Sequence, residues 1–367
     1  MIDFLAPTNP FAAQTERLAA EAQQGGGDIF DIDRVCRSLE PGDPVTWEAA
    51  WQDLAKETEA RAKTALEAGN KRTAMVHFFA ANQYYRQSEI FMPQDDPRKA
   101  ERFRQARQNF RAAAALQSPT IDVIQVTCGD QAFDGYYCHP GGQQSGPCPA
   151  VFLIGGADAY AEEIYFSGSK IIERGWGLLL VDTPGRGSSL HLKNIPAEPE
   201  YEVPVAACLD YLESRADVDE NRLALMGISM AGYYAPRAAA FEDRLKALVC
   251  WSGCYNIRDD LYDFFPPLRP ILQRVVGAAT PEEAREKLNA FSMAGIAQNI
   301  TCPTLVTHGA DDLLMNVEGA KRLFNEIEAS DKTLKIWDGP EGGTGHCNYS
   351  NWSISIPFML DWLESRI

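Results

Sequence analysis

Two hydrophobic periods divide the chain. Between residues 43 and 115, apolar side chains recur every three or four positions, the spacing of amphipathic helices. Trp47, Trp51, Leu54, Ala55, Thr58, Ala62, Ala65 and Leu66 share one face of a first helix. Asp43-Pro44 supplies its N-cap with proline in the first turn, and Gly69 its stop. A second helix over residues 71–91 turns Ala74, Phe78, Ala81, Tyr85 and Ser88 inward. The stretch 92–96 breaks it, and Asp96-Pro97 opens a third helix with Phe103, Ala106, Phe110 and Ala113 on its apolar face. No period is sustained across the three, which excludes a repeat array. The segment before them, through Gly25-Gly26-Gly27, is expected to be loosely packed.

From residue 121 the pattern changes to short apolar runs separated by loops and helical stretches. Residues 121–127 and 132–139 read as a hairpin, and 141–149 as a linking loop. Further strands are predicted at 150–154, 177–181, 222–226, 247–250, 304–307 and 333–337. Fully apolar strands alternating with helices imply a mostly parallel sheet covered on both faces. Ligands of such sheets bind beyond the carboxyl ends of the strands. The predicted division is a helical domain over 1–120 and a sheet domain over 121–367, with an insertion at about 254–300.

Length and composition narrow the function. The 367 residues suit one large domain with an appended one, and 45 % hydrophobic content allows a sizeable core. A net charge of −17, from 51 acids against 34 bases, repels phosphate backbones and anionic lipid, so nucleic-acid binding is excluded as a main function. No run of about 18 apolar residues occurs. The opening Met1-Ile2-Asp3-Phe4 has no basic patch followed by an apolar run. Nine scattered cysteines without a framework are expected to be reduced thiols of a cytoplasmic protein.

The chemistry gathers at predicted strand ends. Gly227-Ile228-Ser229-Met230-Ala231-Gly232 lies between an apolar strand and a helix, the setting of a nucleophile elbow. There the tight turn forces the serine into strained backbone angles and exposes its Oγ. Ala231 stands where glycine is usual and adds one methyl. A serine that merely caps the helix is the plain alternative. The base must come late in the chain, in the order serine, acid, histidine. His77 is mid-helix, His139 ends an early strand, and His191 precedes the nucleophile. His308 closes a strand, where structural hydrogen bonds are its expected role. His346, in the loop after the last strand, is the predicted base. The predicted acid is Asp312, three residues after Gly309, with Asp311 as the alternative.

An oxyanion requires two preorganised N–H donors. The backbone of Met230 and that of Ala157, in Gly155-Gly156-Ala157, are predicted to supply them. Asp158, Tyr160 and Tyr233 are candidates to face substrate, and Glu162, Glu163 and Tyr165 lie nearby; a solvated loop and helix start is the plain alternative. Asp182-Thr183-Pro184-Gly185-Arg186-Gly187 matches no phosphate-binding motif and reads as a loop of the fold. The insertion, with Asp259, Asp260, Asp263 and Phe264-Phe265-Pro266-Pro267, is expected to form a lid or pocket wall, with core packing as the plain reading of its aromatics. No metal site is predicted.

The helical lead-in (Ala80-Ala81-Asn82-Gln83-Tyr84-Tyr85-Arg86), the elbow followed by Tyr234-Ala235-Pro236-Arg237-Ala238-Ala239-Ala240-Phe241-Glu242, and His346-Cys347 together resemble one branch of the α/β-hydrolases. That branch includes 2,6-dihydroxypseudooxynicotine hydrolase, fungal and bacterial hydrolases that shorten polyketides, and the fermentation–respiration switch proteins. The resemblance runs from about residue 43 to the end. It implies an α/β-hydrolase fold with a mostly parallel eight-stranded sheet, an N-terminal helical cap domain and a lid insertion. It also implies a homodimer, a triad at Ser229, Asp312 and His346, and an assisting lid acid for which Asp260 is the nearest candidate. The implied reaction is hydrolysis of a carbon–carbon bond beside a ketone in an aromatic or polyketide-like small molecule, without cofactor. The alternatives are an esterase, thioesterase, amidase or acyltransferase with the same triad, and a catalytically inactive binding or regulatory protein.

Overall fold

The computed structural model describes residues 9–142 and 146–367. The chain separates into two compact units, one comprising Met1–Asp122 with Tyr165–Ser169, the other Val123–Ile164 with Lys170–Ile367.

In the first unit, helices α1 (Ala12–Glu21) and α2 (Ile29–Cys36) precede α3 (Pro44–Glu67), α4 (Lys71–Glu89) and α5 (Arg98–Ala114). The expectation of a loose N-terminal segment is overturned. Phe11, Leu18, Ile32, Val35 and Cys36 are buried in one cluster with Trp47, Trp51, Tyr84 and Tyr85. The glycine run serves a tight corner: Gly25 has φ +91°, and a Cβ on Gly26 would stand 3.0 Å from the Glu21 carbonyl oxygen. Asp28 then caps α2 by accepting from Phe30 N. Asp43 caps α3 through Val45 N with Pro44 in the first turn. The buried face of α3 ends at Ala62; Leu66 is exposed. In α4 every residue from Phe78 onward is buried, so its polar side chains need internal partners. Gln83 donates to Glu21 at 2.8 Å, and Arg86 and Lys99 both pair with Glu89.

The second unit carries a sheet of eight strands: β1 (Ile121–Cys128), β2 (Gln131–Cys138), β3 (Cys148–Ile154), β4 (Gly177–Val181), β5 (Val218–Ile228), β6 (Leu245–Trp251), β7 (Thr304–Gly309) and β8 (Lys332–Trp337). Their spatial order is β1-β2-β4-β3-β5-β6-β7-β8. β2 runs antiparallel to β4, and the pairs from β4 across to β8 are parallel. Between the strands lie α6 (Ala161–Glu173), α7 (Gly187–His191), α8 (Glu202–Glu213), α9 (Ala231–Ala239), α10 (Arg269–Val275), α11 (Pro281–Leu288) and α12 (Val317–Glu326), and α13 (Trp352–Glu364) ends the chain. β3, β4 and β7 are buried along their whole length, as strands covered on both faces must be, whereas β1 alternates.

Register places the site. Ile154 pairs with Gly227, Ile228 with Trp251, and Trp251 with Thr307. The carboxyl ends of β3, β5, β6 and β7 therefore lie side by side, and the loops leaving them converge. The insertion between β6 and β7 puts Tyr255, Ile257, Leu261, Leu272, Val275, Leu288 and Phe291 into the same core as the sheet. Packing accounts for most of its apolar content; Phe264 alone of its large apolar residues is exposed.

Candidate active site

The turn from β5 into α9 holds Ser229 at φ +61°, in the left-handed region a non-glycine residue rarely occupies. Its N–H donates to Trp251 O at 2.9 Å, and its own carbonyl accepts from Gly232 N at 2.7 Å. The turn closes only because its flanks are small. A Cβ on Gly227 would stand 2.0 Å from Ala231 O, and one on Gly232 would stand 2.2 Å from Ser252 O. The methyl of Ala231 is accommodated and fully buried.

Three side chains meet in line. Ser229 Oγ lies 2.9 Å from His346 Nε2, and His346 Nδ1 lies 2.7 Å from Asp312 Oδ2. The carboxylate can only accept, so Nδ1 carries the proton and Nε2 accepts from the serine hydroxyl. Asp312 Oδ1 accepts from Leu314 N and Met315 N at 2.8 and 2.9 Å, which fixes the carboxylate. Burial would raise the Asp312 carboxyl, yet His346 beside it draws it below its ordinary range. Burial likewise opposes charge on His346, and Asp312 outweighs it, holding the imidazole well above its ordinary value. Asp311 is exposed, and its N–H is bound to Thr344 O. Of the two candidate acids, Asp312 reaches the histidine.

The loop after β3 runs beside the serine. A Cβ on Gly156 would stand 3.0 Å from Ser229 Oγ, and Ala157 follows, buried. Met230, the other predicted donor, is the N-cap of α9 and is buried.

The remaining predicted positions have other partners. Tyr160 is buried with its ring edge-on to His191, and Asp158 is half-buried in the same loop. Tyr233 is buried, packs on Phe291 and donates its hydroxyl to Pro199 O at 3.0 Å. Asp260 Oδ2 accepts from Tyr255 N at 2.8 Å and Asn256 N at 2.9 Å. That carboxylate braces the turn leaving β6, and burial raises its pKa. His308 is fully buried with Nδ1 3.1 Å from Gly309 O and 3.6 Å from Asp312 Oδ2. Burial lowers its pKa. Neither His77, half-buried in α4, nor His139, beside Asp217, belongs to the line. Among the described residues no group of three or more His, Cys, Asp or Glu side chains is placed to hold a metal ion, and no helix is long and apolar enough to cross a membrane.

Several supports of His346 were not singled out from sequence. Cys347 and Asn348, directly after His346, are both left-handed, at φ +49° and +55°. Trp251 Nε1 donates to Cys347 O and to Asn348 Oδ1, Trp352 Nε1 donates to Cys347 O, and Cys347 N donates to Ser252 Oγ. Asn tolerates the left-handed region better than most residues, the one signal here that sequence offered.

Comparison with known proteins places the fold. Residues 45–262 match the family described as esterase FrsA-like, and residues 183–366 the prolyl oligopeptidase family. The chain is 25 % identical to Hydrolase acrC of Aspergillus aculeatus, over 98 % of this chain and 97 % of the relative. It is 25 % identical to 20-hydroxy-prefusarin hydrolase FUS2 of Gibberella moniliformis, over 95 % and 94 %. The solved 2,6-dihydroxy-pseudo-oxynicotine hydrolase superposes with a TM-score of 0.83 at 24 % identity, covering 94 % of each chain, which shows the shared fold. The chain belongs to the FrsA-like esterase family, its C-terminal half also carries the prolyl oligopeptidase family pattern, and it is an enzyme of the α/β-hydrolase fold.

Proposed function

We propose that this enzyme is a serine hydrolase that cleaves a carbon–carbon bond beside a ketone, in an aromatic or polyketide-like small molecule, through an acyl-enzyme. The observation that carries the reading is the unbroken line Ser229–His346–Asp312, with hydrogen bonds of 2.9 and 2.7 Å and a buried carboxylate at its far end. His346 Nε2 takes the serine proton as Oγ attacks the ketone carbon, and Asp312 stabilises the imidazolium. The oxyanion is held by the N–H groups of Met230 and Ala157. Collapse breaks the bond to the α-carbon, whose electron pair becomes an enolate. His346 returns its proton to that carbon. Water, deprotonated by His346, then releases the acyl group as a carboxylic acid and restores the serine hydroxyl. The strongly basic imidazole suits this sequence, because it holds the proton until a carbanion-like leaving group forms.

The resemblance in the helical lead-in and elbow supports carbon–carbon cleavage, and relatives matched over nearly their whole length are called hydrolases, one of them of 20-hydroxy-prefusarin. The family description favours a second reading, an ordinary esterase using the same groups. Turnover of an aryl 1,3-diketone against the ester of matching shape, followed by mass spectrometry with Ser229→Ala alongside, separates them. Diketone cleavage lost in the variant is the expected result; ester cleavage alone favours the second reading. The same proposal makes the protein a cytoplasmic homodimer without metal or organic cofactor, and light scattering on the purified chain tests the dimer.

A further inference from the structure

The loop Asp182-Thr183-Pro184-Gly185-Arg186-Gly187 buries a cation. Arg186 is 3 % exposed, and its Nη1 donates to the carbonyl oxygen of Gly155. Its guanidinium carbon lies 4.8 Å from the ring centre of Tyr234 and 5.5 Å from that of Tyr201, while Nε has no hydrogen-bond partner. Among the described residues its partners are thus a carbonyl oxygen and the side chains of Tyr201 and Tyr234, with no carboxylate. A buried charge so placed is stabilised only in part.

Of the neighbouring titratable groups, the phenols and the thiol carry no charge, and the Asp182 carboxylate is turned to backbone donors. Asp182, four residues earlier, spends Oδ1 on Ala161 N at 2.9 Å and Oδ2 on Ser188 N at 2.7 Å. Burial raises the phenols of Tyr201 and Tyr234 and the thiol of Cys208, against the pull of Arg186, so all three stay neutral. The carbonyl that Arg186 grips belongs to the peptide joining Gly155 to Gly156, and Gly156 borders Ser229 Oγ. In a site of low dielectric such a charge acts over several ångströms.

We infer that Arg186 is the positioning residue of the oxyanion site: it fixes the 155–157 loop through the Gly155 carbonyl and supplies the positive field that favours the tetrahedral oxyanion on Ser229. The inference rests on the serine-hydrolase reading proposed above.

A trifluoromethyl ketone with a ¹³C-labelled carbonyl tests it. Attack by Ser229 Oγ turns this probe into a hemiketal, and the pH at which its hydroxyl ionises, read from the ¹³C shift, reports the field at the oxyanion. Arg186→Lys keeps charge and donor, Arg186→Gln keeps a donor alone, and Arg186→Met keeps neither. The expected ionisation pH is lowest in wild type and the lysine variant, higher in glutamine, and highest in methionine. The methionine variant should shift by about one unit or more, with kcat falling about tenfold per unit. Equal ionisation in the glutamine and lysine variants overturns the inference, whatever happens to thermal stability. Should the uncharged variants fail to fold, Arg186→His decides: an ionisation pH raised above the wild-type value supports the role of the charge, and one equal to wild type overturns it. Absence of a hemiketal in wild type, or its survival in Ser229→Ala, would instead remove the underlying serine-hydrolase reading.

Discussion

Gly156 and Ser229 are packed without room for a methyl group between them: a Cβ on the glycine would stand 2.8 Å from the serine Cβ and 3.0 Å from its Oγ. The backbone of Gly156 makes no demand for a left-handed conformation, so the constraint is purely one of space. Gly156→Ala should therefore fold and yet displace the serine, the loop or both. Displacements of about 1 Å at a reacting centre cost about 10²-fold. The expected outcome is a fall of that order in kcat on an activated ester, with the circular-dichroism spectrum unchanged. Wild-type kcat in this variant would show that the loop can retreat from the serine.

The loop carrying His346 depends on one asparagine. Asn348 Oδ1 accepts from Trp251 Nε1 at 3.0 Å, and its Nδ2 donates to Gly343 O at 2.6 Å, from a left-handed backbone. Asn348→Ala removes both bonds, leaves the buried Gly343 carbonyl without this donor and Trp251 Nε1 with Cys347 O alone, and puts alanine where it fits poorly. Unfolding in urea should show a loss of about 2–3 kcal/mol, with a lower kcat because His346 lies two residues away. A stable variant with reduced kcat would assign Asn348 to aiming the base alone.

How far sequence reached is visible at these same residues. Ser229 was legible because the small-residue turn around it lies between an apolar strand and a helix, and the order of residues then picked out His346. Asp312 and Asp311 differ only in direction along a turn, and the structure separates them by burial. The sheet was legible because covered strands are apolar throughout. The packed N-terminal helices were not, because the glycines that permit a tight corner look the same as glycines in a mobile link. Asp260 was misleading for a related reason: a lone acid in an insertion carries no mark of the backbone N–H groups it accepts from. Trp251 and Arg186 act through contacts 96 and 31 residues distant in sequence, beyond any local pattern.

A buried charge cluster in the helical unit offers a separate test of stability. Glu89 receives Arg86 one turn earlier, Lys99 Nζ at 2.6 Å on Oε2, and the same ammonium at 2.7 Å on its backbone carbonyl. Lys99 is nearly buried, and Arg86 and Glu89 fully so. Neutralising the shared acid removes the carboxylate that Arg86 and Lys99 both face in a buried site. Glu89→Gln should lower the unfolding free energy by about 3–5 kcal/mol, seen as an earlier urea transition. An unchanged midpoint would mean that water reaches these cations once the acid is lost.

The pH dependence follows from the two shifts along the triad. In the proposed mechanism attack by Ser229 requires His346 neutral, and Asp312 holds that imidazole well above its ordinary value of 6.5. The acid limb of kcat/KM should therefore fall above pH 6.5, activity being lost as pH drops through the raised value and His346 takes a proton. Asp312 stays ionised throughout that range, because its own pKa is below its ordinary 3.8. Asp312→Asn removes the charge that raises the histidine and leaves the burial that lowers it. The limb should then move to lower pH, while kcat falls by about 10⁴ because the imidazole loses its orienting acceptor. The pH profile of fluorophosphonate inactivation measures both without the natural substrate. A limb that stays in place after Asp312→Asn would mean that the titrating group is not His346 coupled to Asp312, and the assignment of base and acid would have to be abandoned together.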